Sequence, residues 1–279
     1  MEYNKNNPLK VVTLCSGYDS QCLALERLKA VYAKFDYELV AWSEFDPESK
    51  TSLDKQPAVV AHNALFPQWA DRNLGDMTKI DWTQVDDFDL LFYSTPCQSV
   101  SQAGLQHGFT EGSGTRSSII WNVRDAVKIK RPKFLCLENV KAMVSGKFVG
   151  MFNLWQLELE RLGYRNFAQV LNAKDYGVPQ NRERIFLVSI RVDDRNNIQK
   201  YYFPKPFPLE RKLKDVLEEN VDERYYLSDE MLERFQQDGR VNSSQDGVVS
   251  DRDGVSQCYS AGHGNCPKVI DYEQESDTV

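Results

Sequence analysis

Short β-rich runs alternate with stretches of helical pattern along most of this chain, and that alternation restricts the fold more than any other feature. Lys10–Leu14 (KVVTL), Glu38–Ser43 (ELVAWS), Phe88–Tyr93 (FDLLFY), Phe134–Leu137 (FLCL), Phe167–Leu171 (FAQVL) and Arg184–Ile190 (RIFLVSI) read as strands. Leu23, Leu25, Leu28 and Tyr32 give the first intervening helix an apolar side, and Ser117–Lys130 and Phe148–Leu162 read as helices. Strands that alternate with helices predict an α/β fold, a doubly wound and mainly parallel sheet covered on both faces. Ligands of such sheets bind beyond the carboxyl ends of the strands. After about Arg191 the pattern weakens into a short irregular C-terminal appendage. Leu213–Glu219 and Ser228–Gln237 read as short helices there, and Asp238–Gly254 as a loop.

At 279 residues, 41% of them hydrophobic, the chain has material for one sizeable core without disulfides. No apolar run approaches the roughly 18 residues of a membrane-spanning helix. Met1–Lys10 lacks the apolar stretch of a signal peptide. The expectation is a cytoplasmic protein with no membrane partner. The six cysteines form no close C-x-x-C pair, so reduced thiols are expected. Cys258, His263 and Cys266 lie close together but fit no zinc spacing, and no metal site is expected. The net charge of −7 counts against a nucleic-acid partner only when read globally. Lys174–Lys214 carries 10 basic and 5 acidic residues, whereas Asp215–Val279 carries 5 basic and 16 acidic ones. Distribution matters more than the sum.

Four strings fall at strand ends. The first is Ser94–Gly104, S-T-P-C-Q-S-V-S-Q-A-G, directly after a strand. Pro96 restricts the backbone on both of its sides, and Cys97 behind it is a candidate nucleophile once ionised; the bland alternative is a small buried cysteine. The second is L-E-N-V, Leu137–Val140, where the acid of Glu138 can hydrogen-bond a ring nitrogen or merely cap the next helix. The third is Q-N-R-E-R, Gln180–Arg184. Period-two alternation puts Arg182 and Arg184 on one side of a strand, able to hold a phosphate or a carbonyl oxygen, although a solvated charge run is the commoner meaning. The fourth is L-C-S-G-Y-D-S-Q, Leu14–Gln21, whose Gly17 lets a ligand approach the backbone. Glu44 in S-E-F-D suits ribose hydroxyls, and Asp76–Met77 in G-D-M suits an adenine.

In this order the strings resemble the cytosine-5 DNA methyltransferases: the Gly17 turn, S-E-F-D, P-C-Q-S-V-S-Q-A-G, E-N-V and G-V-P-Q-N-R-E-R, spanning roughly Leu9 to Ile190. The resemblance implies an S-adenosylmethionine-dependent methyltransferase fold of Rossmann-like type and a double-stranded DNA substrate. It implies Cys97 as the nucleophile that adds to carbon 6 of a flipped cytosine, Glu138 at ring nitrogen 3, and Arg182 and Arg184 holding the base, with Arg184 the more structural of the two through pairing with neighbouring acids. S-adenosyl-L-methionine would meet Gly17, Tyr18, Glu44, Phe45, Asp76, Met77 and Pro96. The Ser99–Arg116 segment, with Gly104, Gly108, Gly112 and Gly114, resembles a mobile lid.

The pattern is departed from in three places. Asp19 and Ser20 stand where the family usually has glycines. The two closing motifs of the family are absent, and with them a helix that packs beside the first strand. The target-recognition region is abbreviated, although Ser256–Ile270 resembles the stretch that precedes the closing motifs. The expected division is therefore a catalytic and cofactor-binding domain over 1–191 and a linker with an incomplete target-recognition region over 192–279. The chain is then either a truncated gene product or one that needs a second polypeptide to supply the closing motifs, and apolar surface near Val11–Leu14 and the first helix is expected to be exposed or covered by something else. The alternatives are an RNA cytosine-5 methyltransferase, of the kind that acts on tRNA, and a non-catalytic remnant that binds nucleic acid or a partner chain.

Overall fold

The structure is a computed structural model and describes residues 3–96, 111–112, 116–192, 200–226, 228–230, 233, 249–258 and 268–270. The chain forms two compact units. One comprises Met1–Val170 and Arg184–Tyr202, the other Leu171–Glu183 and Phe203–Val279. The division is interleaved, whereas the sequence reading places a single boundary after residue 191.

The first unit is built on a six-stranded sheet. Its strands are β1 (Leu9–Leu14), β2 (Tyr37–Ser43), β3 (Leu90–Tyr93), β4 (Phe134–Val140), β5 (Tyr164–Asn172) and β7 (Glu183–Arg191), in the order β2-β1-β3-β4-β7-β5. β1 pairs in parallel with both β2 and β3, and β3 with β4. β7 runs antiparallel to β4. The mainly parallel, Rossmann-like α/β sheet matches the expectation, and the antiparallel strand adds a mixed side to it.

Period-two alternation on β1 separates two cores. Leu9 and Val11 pack with Cys22 and Leu25 of α1 (Ser20–Val31), Val59 of α2 (Pro57–Leu65) and Phe66. Val12 and Leu14 pack on the opposite face with Val123, Ala126 and Val127 of α3 (Val123–Lys130) and with Phe152, Trp155 and Leu159 of α4 (Val149–Arg161). Residues Val11, Val12 and Leu14 are wholly buried. At β1 the alternative of exposure or cover therefore resolves as cover; exposed apolar surface occurs at the end of α1, where Val31 is 74% and the capping Tyr32 60% exposed. A shift of pairing register between Val11 and Val12 leaves Val40 as an extra residue in β2. Such a bulge reverses the alternation beyond it. Trp42, not Ala41, consequently joins the α1–α2 core.

Helix α2 was not read from the sequence. It is only nine residues long, with two buried positions, Val59 and His62. The available signals were Pro57 at the first helical position and the three-then-four spacing of Val59, His62 and Phe66. The Ser117–Lys130 helix resolves into a 3-10 segment, Arg116–Asn122, followed by α3. In the second unit β6 (Gln180–Asn181) pairs in parallel with β9 (Ser256–Gln257), and β8 (Val249–Asp251) with β10 (Lys268–Ile270). Leu213–Val216 is a 3-10 turn where a helix to Glu219 was expected; most of Ser228–Gln237 lies outside the described residues. Among the described residues no helix is long and apolar enough to cross a membrane.

Trp155 anchors the α3–α4 core. It is wholly buried, its ring meets Trp121 edge-on at 5.4 Å, and its Nε1–H donates to Tyr93 Oη at 3.1 Å. Trp155→Ala should cost about 3–5 kcal/mol in urea unfolding, from lost contact and the cavity left behind. Trp155→Phe, which keeps a ring but leaves the Tyr93 hydroxyl without its donor, should cost roughly 1–3 kcal/mol. Equal losses for the two variants would show that the indole hydrogen bond, rather than ring volume, dominates.

Candidate active site

The carboxyl ends of β1, β2 and β3 converge on a cavity of about 630 Å³ in the first unit. The turn after β1 forms one edge of it. Cys15, Gly17 and Asp19 all have left-handed backbone, at φ 52°, 58° and 64°. Ser16 N–H donates to Ser43 O and Asp19 N–H to Ser16 O, at 3.2 and 2.8 Å, which ties the turn to the end of β2. Gly17 N–H donates to Glu44 Oε2 at 2.7 Å. A side chain placed at Gly17 would meet no protein atom within 4 Å, so the space above the turn is open to a ligand.

Asn73 joins the other two walls. Its Oδ1 accepts from Glu44 N–H and Gly75 N–H at 3.2 and 2.9 Å, and its Nδ2 donates to Glu44 O at 3.3 Å. Ser43 Oγ donates to Gly75 O at 2.6 Å. Asp76 accepts from Thr78 N–H and Oγ1 at 3.0 and 2.8 Å. Although burial pushes the Asp76 carboxyl upward, these bonds and Lys79 outweigh it and hold the group below its ordinary range. Burial has the larger say at Glu44: reinforced by Asp46 and Asp19 and opposed by the Gly17 hydrogen bond, it raises that carboxyl. Glu44, Asp46, Glu48 and Asp76 make the wall acidic, while Phe45, Met77, Pro96 and Ile119 make the rest apolar.

Of the expected cofactor residues, Glu44, Phe45, Asp76, Met77 and Pro96 line this cavity. Gly17 reaches it through Glu44, whereas Tyr18 points outward, 54% exposed. Asn73 and Gln56 escaped the sequence reading because neither sits in a strand-end string; Gln56 caps α2 while its amide holds the Asp46 backbone. Cys15 also lines the cavity. Burial, with Glu44 and Asp76 nearby, pushes its thiol up to about 12. It is therefore a neutral wall at physiological pH.

A second cluster stands at the ends of β3 and β4. Arg184 Nε meets Glu138 Oε1 at 3.0 Å. Ser94 Oγ lies 3.4 Å from Glu138 Oε2 and accepts from Gln21 Nε2 at 3.4 Å. Asn139 is buried and donates from Nδ2 to Thr95 O at 3.0 Å, so the E-N-V string clamps the Ser94–Pro96 segment to β4. Cys97 itself and most of Ser99–Arg116 lie outside the described residues. Arg182 belongs to the second unit. Its N–H donates to Asn172 Oδ1 at 3.0 Å, and its Nη1 donates to Cys258 Sγ at 3.4 Å. It lies in the break between β6 and β7, yet Arg182 and Arg184 are both half-buried beside exposed Asn181 and Glu183. Cys136 is pushed up to about 12 by burial and then by Glu138. Among the described residues no group of three metal-ligating side chains occurs; His263 and Cys266 lie outside them.

The profile of the C-5 cytosine-specific DNA methylase family matches residues 9–274. The chain belongs to that family. It is 44% identical over 161 residues to the type II methyltransferase M2.ScrFI of Lactococcus lactis subsp. cremoris, covering 58% of this chain and 44% of that protein. It is 32% identical over 241 residues to the type II methyltransferase M.SsoII of Shigella sonnei, covering 86% and 58%. The chain spans about half the length of these curated relatives. A crystal structure of a DNMT2 mutant from Spodoptera frugiperda shares the fold, with a TM-score of 0.67 at 18% identity over 90% of this chain and 70% of that one. The C-5 methylase family uses S-adenosylmethionine. The acidic and apolar walls, and the open space at Gly17, fit a cofactor that combines a positive sulfonium with an apolar adenine.

Glu44 yields a test with opposite signs. Its folded-state carboxyl is raised, so ionising it costs stability as pH rises through that raised value. Without ligand, Glu44→Gln should melt no lower than the parent at neutral pH, and the two should converge at acid pH where Glu44 is protonated. Its affinity for S-adenosylmethionine should nonetheless fall, by roughly tenfold if one charge-assisted hydrogen bond is lost. Thermal melts across pH with titration calorimetry check both; a lower melting temperature at neutral pH refutes the account of Glu44.

Proposed function

We propose that this chain is a DNA (cytosine-5)-methyltransferase that moves the methyl group of S-adenosylmethionine to carbon 5 of a cytosine in double-stranded DNA. The observation that carries the reading is the clamp between Asn139 and Thr95. It ties the segment leading to Cys97 to the strand end that bears Glu138, while Pro96 of that segment also lines the cavity of Glu44 and Asp76.

On this reading the target cytosine leaves the duplex, at a cost of a few kcal/mol. The Cys97 thiolate forms a bond to carbon 6. Glu138 gives a hydrogen bond or proton to ring nitrogen 3, which draws the added electron pair into the ring and makes carbon 5 nucleophilic. Bound S-adenosylmethionine supplies an electrophilic methyl group on a positively charged sulfur. Carbon 5 would take that methyl, the broken sulfur–carbon bond leaving a neutral thioether, and would then lose its proton to water; the double bond re-forms and the Cys97 thiolate leaves. Arg184 orients Glu138 through their ion pair, and Arg182 holds the base or its backbone. Glu44 and Asp76 hold the cofactor, with Phe45, Met77 and Pro96 packed around it. The neutral thiols of Cys15 and Cys136 do not compete with Cys97 as nucleophiles. The protein works on this reading in the cytosol. A second polypeptide that supplied the closing motifs would pack along α1, whose exposed apolar residues are Leu28 and Val31.

Duplex DNA containing 5-fluorocytosine should trap a covalent adduct, because fluorine cannot leave as a proton. The adduct should appear on denaturing gels with the parent chain and vanish with Cys97→Ser. Its survival in that variant rules out Cys97 as nucleophile. Glu138→Gln should fold and bind cofactor but methylate about 10²–10⁴-fold more slowly, the usual worth of general-acid assistance. Tritium transfer within twofold of the parent would leave Glu138 a structural role only, in its contacts with Arg184 and Ser94.

A further inference from the structure

Asp19 and His62 lie behind the cofactor turn, and the chemistry above uses neither. Both side chains are wholly buried. Asp19 occupies the left-handed N-cap of α1. Its Oδ1 accepts from Cys22 N–H at 3.2 Å and its Oδ2 from Thr13 Oγ1 at 2.7 Å. Both donors are neutral. His62 Nε2 stands 3.6 Å from the same Oδ2, and neither imidazole nitrogen has a hydrogen-bond partner among the described residues. Packing alone holds the ring: it stacks on Trp42 at 3.5 Å between centroids and 15° between planes, and meets Phe66 at 5.4 Å. The imidazole is therefore held by packing with its Nε2 toward a buried carboxylate.

His62 belongs to α2, and α2 reaches the opposite wall of the cavity as well. At its start, Gln56 Oε1 accepts from Asp46 N–H at 2.8 Å and Gln56 Nε2 donates to Asp46 O at 3.2 Å. Pro57 and Ala58 line the cavity directly. One nine-residue helix thus holds the acidic wall from its N-cap and faces the glycine turn from its second turn.

We infer that Asp19 and His62 form a positioning pair for the cofactor. Asp19 takes the backbone conformation that glycine would otherwise supply, and His62 locks its carboxylate. Together they aim Gly17 N–H at Glu44 and set the turn's distance from the Asp46 wall. Short polar residues such as Asp tolerate left-handed backbone at modest cost, but a buried carboxylate needs compensation beyond two neutral donors. The inference rests on the S-adenosylmethionine reading of the cavity.

The test is a double-mutant cycle on the full chain, read by calorimetry with S-adenosylmethionine and by thermal melts. Asp19→Gly keeps the backbone freedom and removes the carboxylate. His62→Phe keeps the stack on Trp42 and removes the polar edge. Each should weaken cofactor binding about tenfold, and the double variant should be no weaker than Asp19→Gly alone, because the pair acts as a unit. Asp19→Asn, which retains the cap acceptor and offers His62 an N–H, should recover binding to within about threefold of the parent. Parental affinity in Asp19→Gly or in His62→Phe overturns the inference, as do losses that multiply in the double variant. A lowered melting temperature with unchanged affinity assigns the pair to the fold alone and also overturns it. Where His62→Phe does not fold, the contrast between Asp19→Gly and Asp19→Asn decides: equal affinities overturn the inference. A parent chain that binds no S-adenosylmethionine defeats the cofactor reading itself, an outcome separate from parent and variants binding alike.

Discussion

Pairing on both edges and burial on both faces leave β1 with no freedom at its carboxyl end. β2 and β3 flank it in parallel, α1 and α2 cover one face, and α3 and α4 cover the other. The turn that follows must leave the sheet at once. It does so through three left-handed residues, and only one of them is a glycine. Backbone of this kind persists where its surroundings over-determine it. Here the surroundings are Ser43, Glu44 and the buried carboxylate of Asp19, each held in turn by β2, Asn73 or α1.

The chemical division of the site follows from the sheet order. The ends of β1 and β2 meet the acidic cavity, and the ends of β3 and β4 meet the Glu138 cluster. Asn139 links the two by holding the carbonyl of Thr95, one residue before Pro96 of the cavity wall. The acidic wall complements a cationic cofactor, whereas duplex DNA is an anion and binds through basic groups. An overall charge of −7 therefore does not count against the proposed DNA substrate, which would meet only its own local surface.

Much of this was readable from residue order. The strands emerged because their apolar runs are short and bounded, and from the strings at their ends Glu44, Phe45, Asp76, Met77 and Pro96 line the cavity while Glu138 and Arg184 pair beside it. The Arg184–Glu138 ion pair was anticipated as a pairing with a neighbouring acid. Other features were not readable. Asn73 lies in an irregular stretch and acts through its side-chain amide on backbone groups near the end of β2, so no periodicity marks it. Asp19 read as a lost glycine, because sequence displays the missing flexibility but not the cap and the hydroxyl that replace it. Helix α2 is too short for a 3.6-residue period to repeat convincingly.

The α/β sheet and the family were legible in residue order, because both depend on local pattern, and the same pattern marked the strand ends as candidate sites. Tertiary structure alone decided which buried side chains meet. The bulge at Val40 reverses the alternation of β2 and turns Trp42 toward α2. Trp42 then orients His62, and His62 faces Asp19 across 43 positions of sequence. A one-residue change of register is invisible in composition or motif, yet it moves every later side chain of a strand to the other face. The contacts behind the cofactor turn were therefore settled by the folded sheet.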